Sequence, residues 1–359
     1  MINVHMFGFL LAVGVVFPLS GLADVSRHVD PFVGTSANGH VNPGAARPFS
    51  FVKPGPDTGN GSWDYCGGYR YEDTALDGFS QTHLSGVGRA EMGDVLLLPF
   101  VGEEVRRKVP FTHDGEIASP GYYAVTTDGG KVRAEMTSTR CVAFHRFTYR
   151  EAPARLLVDL QHGITSVKAL VRTHVISNVC AFGADGRSLC GTTRVRKNWP
   201  EHDYSFAIRF DRPLAEKTLL PPEPGEKGPR YLLDFDLKPG ETLQVKVAFS
   251  MNSPEKAADN LQAEIPDWDF DAVRTAAAEE WEALLSRVAL RTDDEAQLRT
   301  FYTALYHSFL HPDEVSDAGE PPRYSTFSLW DTFRAAHPLF TLLAPERVNG
   351  FVASILAHS

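Results

Sequence analysis

From Asp94 to about Asn252 the chain repeats one pattern. Residues 95–99, 122–127, 132–137, 142–149, 155–160, 204–210, 231–237 and 242–249 alternate polar with apolar, or run apolar, at strand length. Turn residues lie between them, at Asp128-Gly129-Gly130, Asp185-Gly186 and Pro239-Gly240. A strand turns successive side chains to opposite faces, whereas a helix repeats every 3.6 residues. Many short strands with almost no helix between them predict a large antiparallel β-sandwich. Residues 220–230 hold four prolines and read as a surface loop.

The period changes at Asn252-Ser253-Pro254. Phe270, Val273, Ala277, Trp281, Leu284 and Val288 then recur at helical spacing. Thr292 with Glu295 predicts a capping box, and Leu298, Phe301, Leu305 and Phe309 line the helix that follows it. Pro345 opens a further helix with Val348, Phe351 or Val352, and Ile355 inward. The expected fold class is β plus α, multidomain. It comprises an antiparallel sandwich over 24–252, linker helices over 253–291 and a helical region over 292–359. No internal repeat is evident.

Residues 1–23 form the one long apolar run, with a small-x-small end at Gly21-Leu22-Ala23, and read as a secretory leader. Before the run stands His5 but no Lys or Arg. The expected location is therefore outside the cytoplasm, periplasmic or extracellular. No other stretch has the length of a membrane span. A net charge of −10 argues against nucleic acid or an anionic membrane as partner. Cys180 and Cys190 flank a turn and could form a hairpin disulfide; four free buried thiols, with Cys66 and Cys141, are the other reading.

Three stretches gather residues that suit a sugar. Residues 324–337, YSTFSLWDTFRAAH, put Trp330, Asp331 and Arg334 beside hydroxyl side chains. An indole offers a flat apolar face to a sugar ring, and the charged groups fix its hydroxyls. Residues 61–94 hold Trp63, Asp64, a Gly67-Gly68 turn, then His83, Arg89, Glu91 and Asp94. Glycine permits close backbone approach to a ligand, but the same residues also serve a well-packed loop. His40, before Asn42-Pro43-Gly44, is the third. The ordinary roles for these side chains are turn capping, packing and, for Asp331, a carboxylate at a helix start. No nucleotide-loop, HExxH or GxSxG motif appears, and no carboxylate spacing singles out an acid–base pair.

Taken together, VDPFVGT (29–35), GHVNPGAARPF (39–49), PDT (56–58), WDYCGGYRYED (63–73), GFSQTHLSGVG (78–88), GDVLLLP (93–99), FYTALYHSFLHP (301–312) and YSTFSLWDTFRAAHPL (324–339) resemble glycoside hydrolase family 92, the calcium-dependent exo-α-mannosidases. The resemblance runs through nearly all of the chain after the leader. It implies an N-terminal β-sandwich, linker helices and an (α/α)6 barrel, of which 292–359 would be the first helices. It implies hydrolysis of terminal α-mannose with inversion, and calcium as cofactor. By motif position Asp331 would bind hydroxyls of the terminal mannose, and Trp63 would shape the site from the sandwich side. Trp330, Asp64, His40 and His83 would lie nearby.

The same resemblance places the general acid, the general base and most calcium ligands in later helices, so no residue here is expected to be catalytic. The segment 311–324 also looks short beside the family's loop. The apolar faces of these helices carry on the order of ten large side chains, each worth roughly 1.5–3 kcal/mol when buried, and within this chain most of them would lack partners. That exceeds a typical net stability of about 5–15 kcal/mol. The expectation is a chain cut short, inactive alone, with a missing C-terminal segment as partner and an α-mannose-terminated oligosaccharide as ligand. A carbohydrate-binding module without turnover is the alternative. A sandwich-plus-barrel phosphorylase is the third reading, and LWDTF and THLSG argue against it.

Overall fold

The computed structural model describes residues 24–197, 201–325 and 329–358, without the side chains of Trp330, Asp331 and His358. The leader expected over 1–23 lies outside the described residues. Two antiparallel sheets dominate. One has six strands in the order β1 (Gly55–Asp57), β3 (Gly78–Ser80), β4 (Leu96–Val101), β10 (Ala154–Asp159), β15 (Arg230–Phe235) and β14 (Glu216–Leu220). The other has eight, in the order β11 (Val175–Phe182), β12 (Ser188–Val195), β13 (His202–Phe210), β16 (Thr242–Ser250), β9 (Val142–Tyr149), β8 (Val132–Ser138), β7 (Tyr122–Thr127) and β6 (Ile117–Ser119). A small pair joins β2 (Ala75–Leu76) to β5 (Val109–Pro110).

The sheets face each other across one apolar core. Phe79 of β3 stacks on Phe147 of β9 at 6.3 Å, and Phe210 of β13 meets Phe235 of β15 at 5.6 Å. Every residue of β4 is buried, which explains its continuous apolar run. The outer face of the eight-stranded sheet is covered too. Tyr122, Ala124, Val142, Phe144 and Ala248 pack there against Leu261, Ile265 and Phe270. Those last residues belong to, or lie between, helices α1 (Pro254–Glu264) and α2 (Phe270–Leu285).

Helix α1 starts at the period change, with Pro254 in its first turn and Ser253 accepting the Lys256 N–H. α3 (Glu295–Ser308) departs from the expected capping box. Asp294 is its N-cap and takes the N–H groups of Ala296 and Gln297. A carboxylate reaching two orphan donors leaves Thr292 to bind the Asp294 N–H instead. α4 (Leu329–Thr332), α5 (Ala336–Leu343) and α6 (Pro345–His358) follow.

The helices share a second core with the start of the chain. Trp281 is fully buried, 4.4 Å from the Tyr306 ring, and donates its indole N–H to Ala46 O at 2.7 Å. Phe49 packs against Phe309, Phe340 and Phe351. Glu282 accepts the N–H groups of Val25 and Ser26. Val25, Val29, Ala46 and Phe49 therefore precede the sandwich in sequence but pack with the helices in space.

The hairpin around Asp185-Gly186 exists, but not the disulfide. Cys180 is paired across it with Gly191, and Cys190 with Ala181. Directly opposed residues share a face of the sheet, so the two thiols sit on opposite faces. All four cysteines are free.

Candidate functional site

The loops leaving β1 and β3 meet over a buried charge cluster. Asp57 ends β1 with no exposed surface. Its Oδ1 lies 2.9 Å from His83 Nε2 and its Oδ2 lies 3.0 Å from His162 Nε2. His83 Nδ1 bonds Lys53 O at 2.7 Å, and Ser80 Oγ stands 3.1 Å from Nε2. Burial alone would raise the Asp57 carboxyl, but His83 and His162 outweigh it and hold it well below the usual range. For His162, burial alone would lower the imidazole; the bond to Asp57 reverses that and raises it.

Asp94 anchors the other end of the loop that begins at His83. Lys197 Nζ meets Asp94 Oδ1 at 2.8 Å, and Thr82 and Asp94 exchange hydrogen bonds at 3.1 Å. Burial pushes the Asp94 carboxyl up, but Lys197 beside it prevails, and it lies low. His83 and Asp94 thus hold the loop from beneath. The His83 side chain is buried, with both ring nitrogens engaged.

The Gly67-Gly68 turn fills the space between this cluster and His40. A β-carbon on Gly68, at φ +81°, would lie 2.0 Å from Asp57 Oδ1. One on Gly67 would lie 2.3 Å from His40 O. Asn42 seals the turn by donating to Gly67 O and Pro56 O, both at 2.9 Å. Gly67→Ala should accordingly destabilise the protein by roughly 1–3 kcal/mol. The check is a lower denaturation midpoint at unchanged slope.

Above the turn, Trp63 and Asp64 begin a single helical turn capped by Ser62, whose hydroxyl accepts the Asp64 N–H. Trp63 is 48% exposed. Its indole N–H donates to Gly88 O at 3.2 Å, and the His40 ring stands perpendicular to it with centroids 4.3 Å apart. His40 is buried at φ +54°, a left-handed backbone that costs a non-glycine residue roughly 1–2 kcal/mol. Burial lowers its pKa, with the nearby Asp64 charge opposing. Asp64 itself is exposed.

Lys53, which carries no distinguishing sequence signal, extends this frame toward the helices. Its carbonyl holds His83, and its buried ammonium pairs with Asp313 Oδ1 at 2.5 Å. Asp313 in turn exchanges hydrogen bonds with Ser325, N–H to Oγ at 3.0 Å and O from N–H at 2.7 Å. Ser325 belongs to the stretch that leads into α4, where Trp330 and Asp331 reside; the side chains of those two lie outside the described residues. The structure therefore brings Trp63, His40 and Asp64 together and sets His83 behind them.

A cleft of about 320 Å³ lies elsewhere, lined by Arg47, Thr139, Arg140, Glu264, Glu280, Glu314 and Arg347. Its charges neutralise one another. Arg47 binds Glu280 at 2.8 Å, Arg140 binds Glu314 at 2.7 Å and Glu264 at 3.1 Å, and Arg347 binds Glu314 at 2.9 Å. Most of these pairs join helices to the rest of the chain, and among the described side chains none of the sequence-predicted site residues lines the cleft. At Trp63, by contrast, an anchored indole, an imidazole and the exposed Asp64 carboxylate can grip a polyhydroxylated ring. Among the described residues no group of three or more His, Cys, Asp or Glu side chains is placed to hold a metal ion.

The chain is similar to known proteins in sequence and in fold. A curated relative, an "Uncharacterized secreted glycosidase" of Arthroderma benhamiae, is 29% identical over 87% of this chain and 45% of its own length. The structure of a family GH92 α-mannosidase from Bacteroides thetaiotaomicron superposes with a TM-score of 0.85 at 32% identity, covering 94% of this chain and 50% of that one. A family GH92 inverting mannosidase from the same organism gives a TM-score of 0.77 at 29% identity, over 90% and 47%. The chain thus spans about half the length of these relatives. Residues 28–250 match the glycosyl hydrolase family 92 N-terminal domain and residues 256–359 match its catalytic domain. Both of the family's domains are represented in family order, so the chain belongs to glycosyl hydrolase family 92.

Proposed function

We propose that this chain supplies the substrate-holding part of an exported exo-α-mannosidase that acts on α-mannose-terminated oligosaccharides with inversion. The observation that carries this reading is Trp63: a half-exposed indole, tethered at its nitrogen, above the buried cluster of Asp57, His83 and His162. A solved relative, a GH92 α-mannosidase from Bacteroides thetaiotaomicron bound to mannoimidazole, supports mannose as the sugar. The secreted relative supports export, and no helix of the described residues is long and apolar enough to cross a membrane.

In this reading the sandwich spans 24–252, linker helices 253–291, and 292–359 begins an (α/α)6 barrel. Trp63 stacks on the terminal mannose, and Asp331 accepts its hydroxyl protons, with Trp330, Asp64 and His40 around it and His83 supporting the loop. Inversion needs an acid and a base on opposite faces of the sugar, roughly 6.5–9.5 Å apart. We assign neither role to a carboxylate of this chain. The family's calcium does not fit the described residues, since none of them cluster as ligands, and nothing proposed for these side chains runs through it.

Titrating α-1,2-mannobiose into the protein by calorimetry, with sugar release followed by chromatography, tests the reading. Saturable heat without mannose release is expected, with or without calcium. Absence of heat at millimolar sugar would remove the site. Calcium-dependent release of mannose would show that this chain also holds the groups that cleave.

A further inference from the structure

We infer that His40 is a positioning residue for Trp63: its ring sets the tilt of the indole, so that the sugar meets a surface already oriented. This rests on the reading of Trp63 as the sugar platform. The imidazole is kept at two costs to folding. Its backbone is left-handed at φ +54°, and its Nε2 is buried with no hydrogen-bond partner. An unpaired buried nitrogen is shared by His174 and His145, so it is the perpendicular ring contact that distinguishes His40. What the His40 ring does touch is Trp63, perpendicular at 4.3 Å. Perpendicular aromatic pairs have a preferred geometry, so the contact fixes an angle as well as filling space.

The backbone makes His40 a rigid reference. Its carbonyl accepts the Gly86 N–H at 2.8 Å, and the next residue, Val41, donates to Gly34 O at 3.1 Å. Gly67 is packed so tightly against the His40 carbonyl that no side chain fits there. The indole is thus held at two points, its nitrogen by Gly88 O and its ring by His40. One point alone would leave the half-exposed ring free to swing, and ordering it would then weaken binding.

The test uses the protein labelled with 5-fluorotryptophan, which gives one fluorine resonance for each of its five tryptophans, Trp63 being assigned through Trp63→Phe. His40→Ala should shift or broaden the Trp63 resonance, leave the others in place, and weaken α-1,2-mannobiose binding about tenfold through lost preorganisation. His40→Phe keeps an aromatic edge without nitrogens and should restore both the resonance and most of the affinity. An unmoved Trp63 resonance in His40→Ala overturns the inference, as does a change spread over all five. So does affinity lost in His40→Phe while the resonance is restored, because the imidazole would then touch sugar directly. The fluorine measurement needs no ligand. Failure of the wild type to bind sugar would therefore count against the sugar platform, and the resonance would still judge His40.

Discussion

Asp57→Ala should lower the unfolding free energy by about 3–5 kcal/mol, because it strips one partner from a buried charged network. The residue is fully buried and serves two imidazoles, His83 at 2.9 Å and His162 at 3.0 Å. Removing the carboxylate takes the shared acceptor from both rings, leaving His83 Nε2 with Ser80 Oγ alone and His162 largely buried beside it. Against a typical net stability of about 5–15 kcal/mol, the loss is a large fraction. Guanidinium titration should show a lower midpoint at an unchanged slope. A loss below about 1 kcal/mol, the size expected of an exposed pair, would show that the network does not support the loops.

The same cluster carries a pH signature. Asp57 is depressed in the folded state, so its contribution is complete above the unfolded value near 3.8 and is lost as pH falls through the folded one. His162 is raised in the folded state, so its contribution is complete below the unfolded value near 6.5 and is lost as pH rises through the folded one. The cluster thus stabilises most between those limits and weakens on either side. Asp57→Asn, which cannot ionise, should flatten the dependence of the melting temperature on both flanks.

Much of this arrangement was legible in the chain before any coordinates. β7 and β9 are rich in aromatic and β-branched residues because nearly every position is buried, one face in the sandwich core and the other under α1 and α2, and β4 is apolar throughout because both its faces are buried. β14, by contrast, is an edge strand with four exposed residues, and β11 has a bulge near Ser177 and alternates half-buried with exposed positions, so neither shows the usual contrast. α1 buries only Ala257, Asn260 and Leu261, too few apolar groups to mark a period. At the site, Trp63, His40 and Asp64 were visible because they lie among glycines that loops require. Whether His83 is exposed or buried has no local sequence signal. The Lys53–Asp313 pair joins residues 260 positions apart, and a buried lysine reads in sequence like a surface one. Only the folded chain brings those two together.

Trp63→Ala should weaken α-1,2-mannobiose binding by roughly 60-fold and lower stability by no more than about 2.5 kcal/mol. The indole is 48% exposed, so half of a side chain that can bury about 200 Å² remains available to a ligand. Covering about 100 Å² of apolar surface at about 25 cal/mol per Å² is worth about 2.5 kcal/mol, or nearly two powers of ten in affinity. Folding draws on the other half and on one hydrogen bond to Gly88 O, which water can replace when the ring is gone. The loss should therefore be shared between ligand and fold, in contrast to Asp57→Ala, where it falls on the fold alone. Trp63→Phe should recover part of the affinity, because the flat face survives and the N–H tether does not. Equal calorimetric affinity in Trp63→Ala and the wild type would mean that the sugar lies elsewhere. A drop in denaturation midpoint with affinity unchanged would mean that the indole belongs to the loop's packing rather than to its ligand.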